Sequence, residues 1–280
     1  MNDLQVVMLN LFKEFKGVCE KHDLTYFLIG GSALGAVRHG GFIPWDDDLD
    51  IGMPRKDYDK LMKLKGEFSH PYFLQNFKTD PGFTLGYAKL RNSDTTYLEN
   101  FYIYQNINHG VWIDIFPIDG MSRRVNAKKA HGPKPHLLWL MFYLSYLGHF
   151  YARPTKKTWF VQIPLYLVSI IFLPFNLFNL MNRLITLAMK NIKWDQATLV
   201  GSYMTWAFNR EALPKAFYGK GVLMKFEDIE ANIPTNYKAY LTAKYGDYMK
   251  FPPLEQQNGH HYHSGVSTTI PYKDYLKGKR

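Results

Sequence analysis

The order of elements along the chain predicts an α+β fold, a small mixed sheet with flanking helices. Three observations carry that expectation. Leu4, Val7, Met8, Leu11, Phe15 and Val18 recur at helical spacing and set an amphipathic helix over residues 3–22. Short apolar and aromatic runs such as Tyr26-Phe27-Leu28-Ile29 and Val111-Trp112-Ile113-Asp114-Ile115-Phe116 have the length and composition of strands. Strand and helix patterns are interleaved over the first 120 residues, and they resume after Asp195.

The elements follow in order. After the first helix comes a strand at 26–29. Ser32 begins a short helix toward Val37, and a turn through Gly40-Gly41 leads into an acidic strand, Asp48 to Ile51. Pro54 opens the next helix, where its fixed φ suits the first turn. Strands are expected at 72–77, 83–91 and 95–98, and another from Val111 to Phe116 that stops at Pro117. Val222 to Ile229 predicts a strand or hairpin, and Asn236 to Tyr245 a helix.

The basicity of the chain belongs to one segment. The net charge is +10, yet between Asp119 and Asp195 there is no acidic residue and there are eleven Lys and Arg. The rest is close to neutral. Within that segment Leu137 to Tyr151 is largely apolar, and Trp159 to Met181 carries no charge over 23 positions. That length can span a bilayer, but Pro164 and Pro174 interrupt it and basic residues lie on both flanks. A pair of helices lying in one leaflet of an anionic membrane surface fits better. Aromatic residues interleaved with the charge are compatible with nucleic acid, but the long uncharged runs fit lipid, and no nucleic-acid partner is expected. Cys19 is the single cysteine, which excludes an intrachain disulfide and suits a reducing compartment. The charged N-terminus is not a signal peptide. A cytoplasmic protein, peripheral or monotopic at the inner face of the cell membrane, is the expectation.

The chemistry is concentrated in Gly30-Gly31-Ser32 and the acidic run Asp46-Asp47-Asp48-Leu49-Asp50. In a strand, Leu49 and Ile51 enter the core while Asp48 and Asp50 project together. Two such carboxylates repel by roughly 4 kcal/mol at 4 Å for an effective dielectric near 20. A divalent cation relieves that repulsion, and hard oxygen ligands suit Mg²⁺ or Mn²⁺. The glycine turn can present backbone N–H groups to a phosphate. Together these point to metal-assisted chemistry on a phosphate. Asp114, alone in an apolar run, is the candidate third carboxylate, as ligand or general base, because burial of an unpaired charge is costly. Asp46 either joins the site or caps the turn after Pro44, Asp47 points to the other face, and Asp119 reads as a turn or cap residue. Arg38 and His39 in the loop, and Lys89 and Arg91 sharing one strand face by period two, are candidate cations for substrate. His260, His261 and His263 lack the spacing of a zinc site. A histidine there closing over a phosphate, or acting on the acceptor, outranks zinc.

These residues carry a resemblance. Leu28-Ile29-Gly30-Gly31-Ser32 through Pro44-Trp45-Asp46-Asp47-Asp48-Leu49-Asp50-Ile51-Gly52 is similar to the central motif of the LicD family, in the nucleotidyltransferase fold superfamily that includes fukutin and fukutin-related protein. Pro54-Arg55-Lys56-Asp57-Tyr58 resembles its continuation, Asp114-Ile115-Phe116-Pro117-Ile118-Asp119 its second motif, and Tyr245-Gly246-Asp247-Tyr248-Met249 with Pro252-Pro253 and His260-His261 its C-terminal signature. The resemblance covers about 1–120 and 200–265, with 121–195 the least typical part. It implies a nucleotidyltransferase-like mixed sheet with an apolar helical insertion: a catalytic core over 1–120, the insertion over 121–195, and a part over 196–280 that completes the site. It implies divalent metal on Asp48, Asp50 and Asp114, phosphate or substrate contacts from Gly30, Gly31 and Ser32, and both ends of the chain at one site. The implied reaction moves phosphocholine or an alditol phosphate from a CDP-activated donor onto a hydroxyl of a glycan or lipid-linked glycan. The rivals are nucleotidyl transfer from an NTP and non-catalytic glycan binding.

Overall fold

A computed structural model of the chain describes residues 1–83, 85–100, 102–103, 105–121, 167, 184, 186–187, 190, 192–203, 212–259 and 261–278. Most of the segment 121–195, including all of 137–181 except Leu167, lies outside the described residues, as does His260. No helix among the described residues is long and apolar enough to cross a membrane.

Helix α1 (Asp3–Lys21) starts in a capping box, in which Asn2 accepts from the Gln5 N–H and the Gln5 side chain accepts from the Asn2 N–H. The sheet runs β1 (Phe27–Leu28), β2 (Asp50–Pro54), β6 (Val111–Met121), β4 (Ala88–Asn92), β3 (Tyr72–Gln75). It is mixed: β2 and β6 are parallel, and the other pairs on this path are antiparallel. Helices α2 (Gly30–His39) and α3 (Arg55–Leu61) precede and follow β2. Ile51, Ile113, Ile115, Leu90 and Leu74 share a core with Leu11, Phe12 and Phe15 of α1, which packs on β6 and β4. Alternation then fixes the opposite face. There β2 presents Asp50, β6 presents Trp112 and Asp114, β4 presents Lys89 and Arg91, and β3 presents Gln75.

A short ribbon of β5 (Thr96–Glu99) and β11 (His263–Ser267) brings the C-terminal region to this polar face. β9 (Val222–Phe226) and β10 (Ile229–Ile233) form a hairpin, followed by α4 (Tyr237–Tyr245), with Asn236 accepting from the Ala239 N–H at its start, and α5 (Tyr272–Lys277).

Several boundaries depart from the sequence reading. The acidic strand begins at Asp50, not Asp48, although the chain before it is already tied in, since the Asp114 N–H donates to the Leu49 carbonyl at 2.9 Å. α2 begins at Gly30 rather than Ser32. β4 runs Ala88–Asn92 where 83–91 was expected. β6 does not stop at Pro117. Pairing with β4 ends at Ile115 and pairing with β7 (Leu199–Gly201) starts at Asp119, so on that edge proline falls between two ladders, while on the other it stands opposite Met53 of β2. β8 (Leu213–Pro214) adds to β7. Asp119 is no cap residue. It is buried and takes two hydrogen bonds from Arg55, Nε to Oδ1 at 2.7 Å and Nη2 to Oδ2 at 2.6 Å.

Candidate active site

The parallel ladder sets Asp50 directly opposite Asp114, at a strand separation of about 4.8 Å. Asp46, Asp48 and Asp50 come from the loop that leads into β2. Gln5 of α1 pins this loop by donating to the Ile43 and Asp46 carbonyls, each at 3.1 Å. The first residues of α2 lie beneath the carboxylates. A Cβ on Gly30, whose φ is +55°, would stand 3.2 Å from Asp50 Oδ2, and one on Gly31 would stand 3.0 Å from Asp46 Oδ2. The glycines thus admit the acids to the start of the helix. One donor named from sequence already has a partner, since the Gly30 N–H donates to Tyr240 Oη at 3.0 Å, while Ser32 Oγ accepts from the Asp50 N–H at 2.8 Å. Ser32 positions Asp50.

The acids strain one another electrostatically. Burial pushes the Asp46 carboxyl up to about 8, with Asp48 adding to it. Burial raises Asp48 too, which His261 opposes and Asp114 reinforces. Burial followed by Asp48, Asp114 and Asp46 holds Asp50 well above the usual carboxylate range. Asp114 is buried, and its Oδ1 has no hydrogen-bond partner among the described residues. An all-oxygen set of this kind suits a hard divalent cation in chemistry, although among the described residues no three His, Cys, Asp or Glu side chains stand as a formed metal-ligand group.

The candidate cations are held by the protein's own groups. Lys89 and Arg91 do share a face, but that face is interior and not solvated: Lys89 is 1% exposed and Arg91 0%. Arg91 donates to Gln75 Oε1, to the Gly110 carbonyl at 2.6 Å and to Glu99 Oε2 at 2.9 Å. Its guanidinium is occupied by the protein. Lys89 Nζ lies 3.2 Å from Glu99 Oε1, 3.4 Å from Asp114 Oδ1 and 3.8 Å above the Trp112 ring. Burial raises Glu99, but Lys89 and Arg91 outweigh it and hold the carboxyl down at about 2. Arg38 at the end of α2 donates to the Tyr248 and Lys250 carbonyls and stacks on Phe251. Beside it the His39 ring packs against Trp45 and Phe251. His261 reaches the acidic loop: its N–H donates to Asp47 Oδ2 at 3.0 Å, and Nδ1 lies 3.2 Å from Asp47 Oδ1 and 3.9 Å from Asp48 Oδ2. Burial lowers its pKa, but Asp47 and then Asp48 prevail and raise it to about 9. Asp47, expected on the other face, instead meets the same His261 ring nitrogen as Asp48 and anchors the histidine. Sequence reasoning missed Glu99 entirely. It also passed over Trp112, which sits two residues before Asp114 and so on its face, a signal that was present.

Without added divalent cation, stability should fall as pH rises from about 6.5 to 9. Asp46 binds its proton more tightly folded than unfolded, so its ionisation, moved from 3.8 to about 8, favours the unfolded chain as pH climbs. His261, raised from 6.5 to about 9, contributes stability that is complete below 6.5 and lost as pH passes 9. Both act in one direction. Thermal melting in EDTA across this range checks it; a flat or rising Tm contradicts the arrangement.

The family model described as "LicD/FKTN/FKRP, nucleotidyltransferase domain" matches residues 23–162, the half of the chain that holds Asp48 and the pair Asp50 and Asp114 opposed across β2 and β6. The chain belongs to the LicD family. It is 28% identical over 269 residues to the lipopolysaccharide cholinephosphotransferase LicD of Haemophilus influenzae, which covers 93% of this chain and 96% of that protein. Over 50 residues it is 48% identical to the ribitol 5-phosphate transferase FKRP of human and mouse, 18% of this chain and 10% of theirs. Within this LicD-family chain, Tyr240, Tyr248 and His261, all more than 200 positions from their partners, meet α2 and the acidic loop.

Proposed function

We propose that this LicD-family chain moves phosphocholine, or a related ethanolamine or alditol phosphate, from a CDP-activated donor to a hydroxyl of a cell-surface glycan precursor. The observation that carries the reading is the opposition of Asp50 and Asp114 beside Asp48, with burial and the neighbouring acids holding Asp48 and Asp50 above the usual carboxylate range. It is a LicD-type transferase, and the full-length likeness to a cholinephosphotransferase supports a substituted phosphate as the group moved. The fold is then the nucleotidyltransferase type, with residues 1–120 as catalytic core, 121–195 as an apolar basic insertion against the membrane's inner face, and 196–280 closing the site.

Asp48, Asp50 and Asp114 would hold Mg²⁺ or Mn²⁺, which when bound supplies charge neutralisation of the donor diphosphate. The chain's own groups do the rest. Asp114, beside the reacting centre, takes the proton of the acceptor hydroxyl as it attacks the phosphorus next to the head group. Protonated His261, held by Asp47, lies where negative charge grows on the departing CMP. Gly31 gives the Asp46 carboxylate room at the start of α2. Buried Lys89 acts on Asp114 rather than on substrate.

The test is a screen of CDP-choline, CDP-ethanolamine, CDP-glycerol and CDP-ribitol with candidate glycans. Mg²⁺-dependent CMP release is expected with one of them. Pyrophosphate release from an NTP, with every CDP donor inert, would replace this reading with nucleotidyl transfer. Recovery of the full chain wholly in the soluble fraction at low salt would overturn the membrane assignment.

A further inference from the structure

The polar face of the sheet holds a chain of buried charges that substrate does not need to touch. Asp114, Lys89, Glu99, Arg91, Gln75 and Asp80 follow one another, all no more than 9% exposed. Gln75 Nε2 donates to Asp80 Oδ2 at 2.7 Å, and Gln75 Oε1 accepts from Arg91. Lys89 is the branch point. Its ammonium is shared by two acids, but unequally: it donates a hydrogen bond to Glu99 at 3.2 Å, whereas at Asp114 it makes a 3.4 Å ion pair without one.

We infer that Glu99 is a positioning residue that keeps the Lys89 ammonium from closing on Asp114, and so keeps the Asp114 carboxylate open to a divalent cation. The inference rests on the proposed metal site. A buried ammonium requires an anion. Glu99 is fixed as that anion from two sides. Arg91 Nη2 holds Oε2 at 2.9 Å, with Arg91 itself tied to Gln75 and the Gly110 carbonyl, and β11 pairs His263 with Glu99 along the backbone. The Trp112 ring beneath Lys89 limits where the ammonium can go. Were Glu99 uncharged, Asp114 would be the remaining acid within reach of Lys89. The pair would tighten, and an incoming cation would have to displace an ammonium.

The experiment is Mn²⁺ titration of the full chain, followed by loss of the free-ion EPR signal, with near-UV circular dichroism to confirm the folded state. Glu99→Gln should raise the Mn²⁺ Kd about 10- to 100-fold, the range seen when groups behind a ligand are altered. Adding Lys89→Met to it should return the Kd to the wild-type value or below, an outcome that a merely structural role for Glu99 does not predict. An unchanged Kd in folded Glu99→Gln overturns the inference while leaving the metal site standing. A wild-type chain that binds no Mn²⁺ overturns both. If Glu99→Gln does not fold, Lys89→Met alone decides: a Kd equal to or lower than wild type supports the inference, and a higher one overturns it.

Discussion

Asp50→Asn should lower Mg²⁺-dependent transfer by about 10³-fold and raise the Tm of the protein in EDTA. The two effects have one cause. Asp50 lies across the ladder from Asp114 and beside Asp46 and Asp48, and burial with those neighbours pushes its carboxyl well above the usual range. The folded state carries that repulsion; an amide of the same shape removes it. The same charge is what a divalent ion would neutralise, and transition-state stabilisation of several kcal/mol from such an ion corresponds to about three decades in rate. Added Mg²⁺ should therefore raise the Tm of the wild type and leave that of Asp50→Asn in place. A variant that is more active than 10% of wild type, or one whose EDTA Tm drops, would remove Asp50 from the proposed role.

Arg55→Ala should cost about 3–5 kcal/mol in urea unfolding with an unchanged m-value, the penalty for stranding a buried charge. Asp119 is 1% exposed and depends on the Arg55 fork for both oxygens. Burial raises the Asp119 carboxyl and the Arg55 hydrogen bond opposes that rise. Removing the guanidinium also strips its stacking on Tyr58. Arg55→Lys should recover only part of the loss, because an ammonium cannot serve two oxygens in a fork. A double replacement, Arg55→Met with Asp119→Leu, should recover most of it, since apolar groups of similar volume need no partner. A loss for Arg55→Ala below about 1 kcal/mol, the range of an exposed pair, would show that Asp119 finds water or another cation.

Much of this was legible in the residues. Period two predicts that Leu49 and Ile51 face the core and that Asp50 faces away, and both hold in the structure. The helical spacing of Leu4 to Val18 gives α1 to within one residue. Pattern failed where a neighbour decides the outcome. Pro117 reads as a stop because its missing N–H ends most ladders, yet it stays opposite Met53 in the β2 ladder and falls between β4 and β7 on the other edge. Lys89 and Arg91 read from the sequence as candidate cations for substrate on one strand face, and period two gives no sign that this face is interior. What buries them is β5 and β11, drawn from 170 residues apart, and a paired anion, Glu99, with no motif of its own. Asp119 was assigned to a turn because its partner, Arg55, sits 64 positions away.

The acidic loop and the groups that compensate it are far apart in the chain. His261 is 214 residues from Asp47, and Tyr240 is 210 from Gly30. A ribosome making this protein releases the repelling aspartates long before the histidine that steadies them. The cleft as it stands in the structure is therefore complete only once residue 261 has been made.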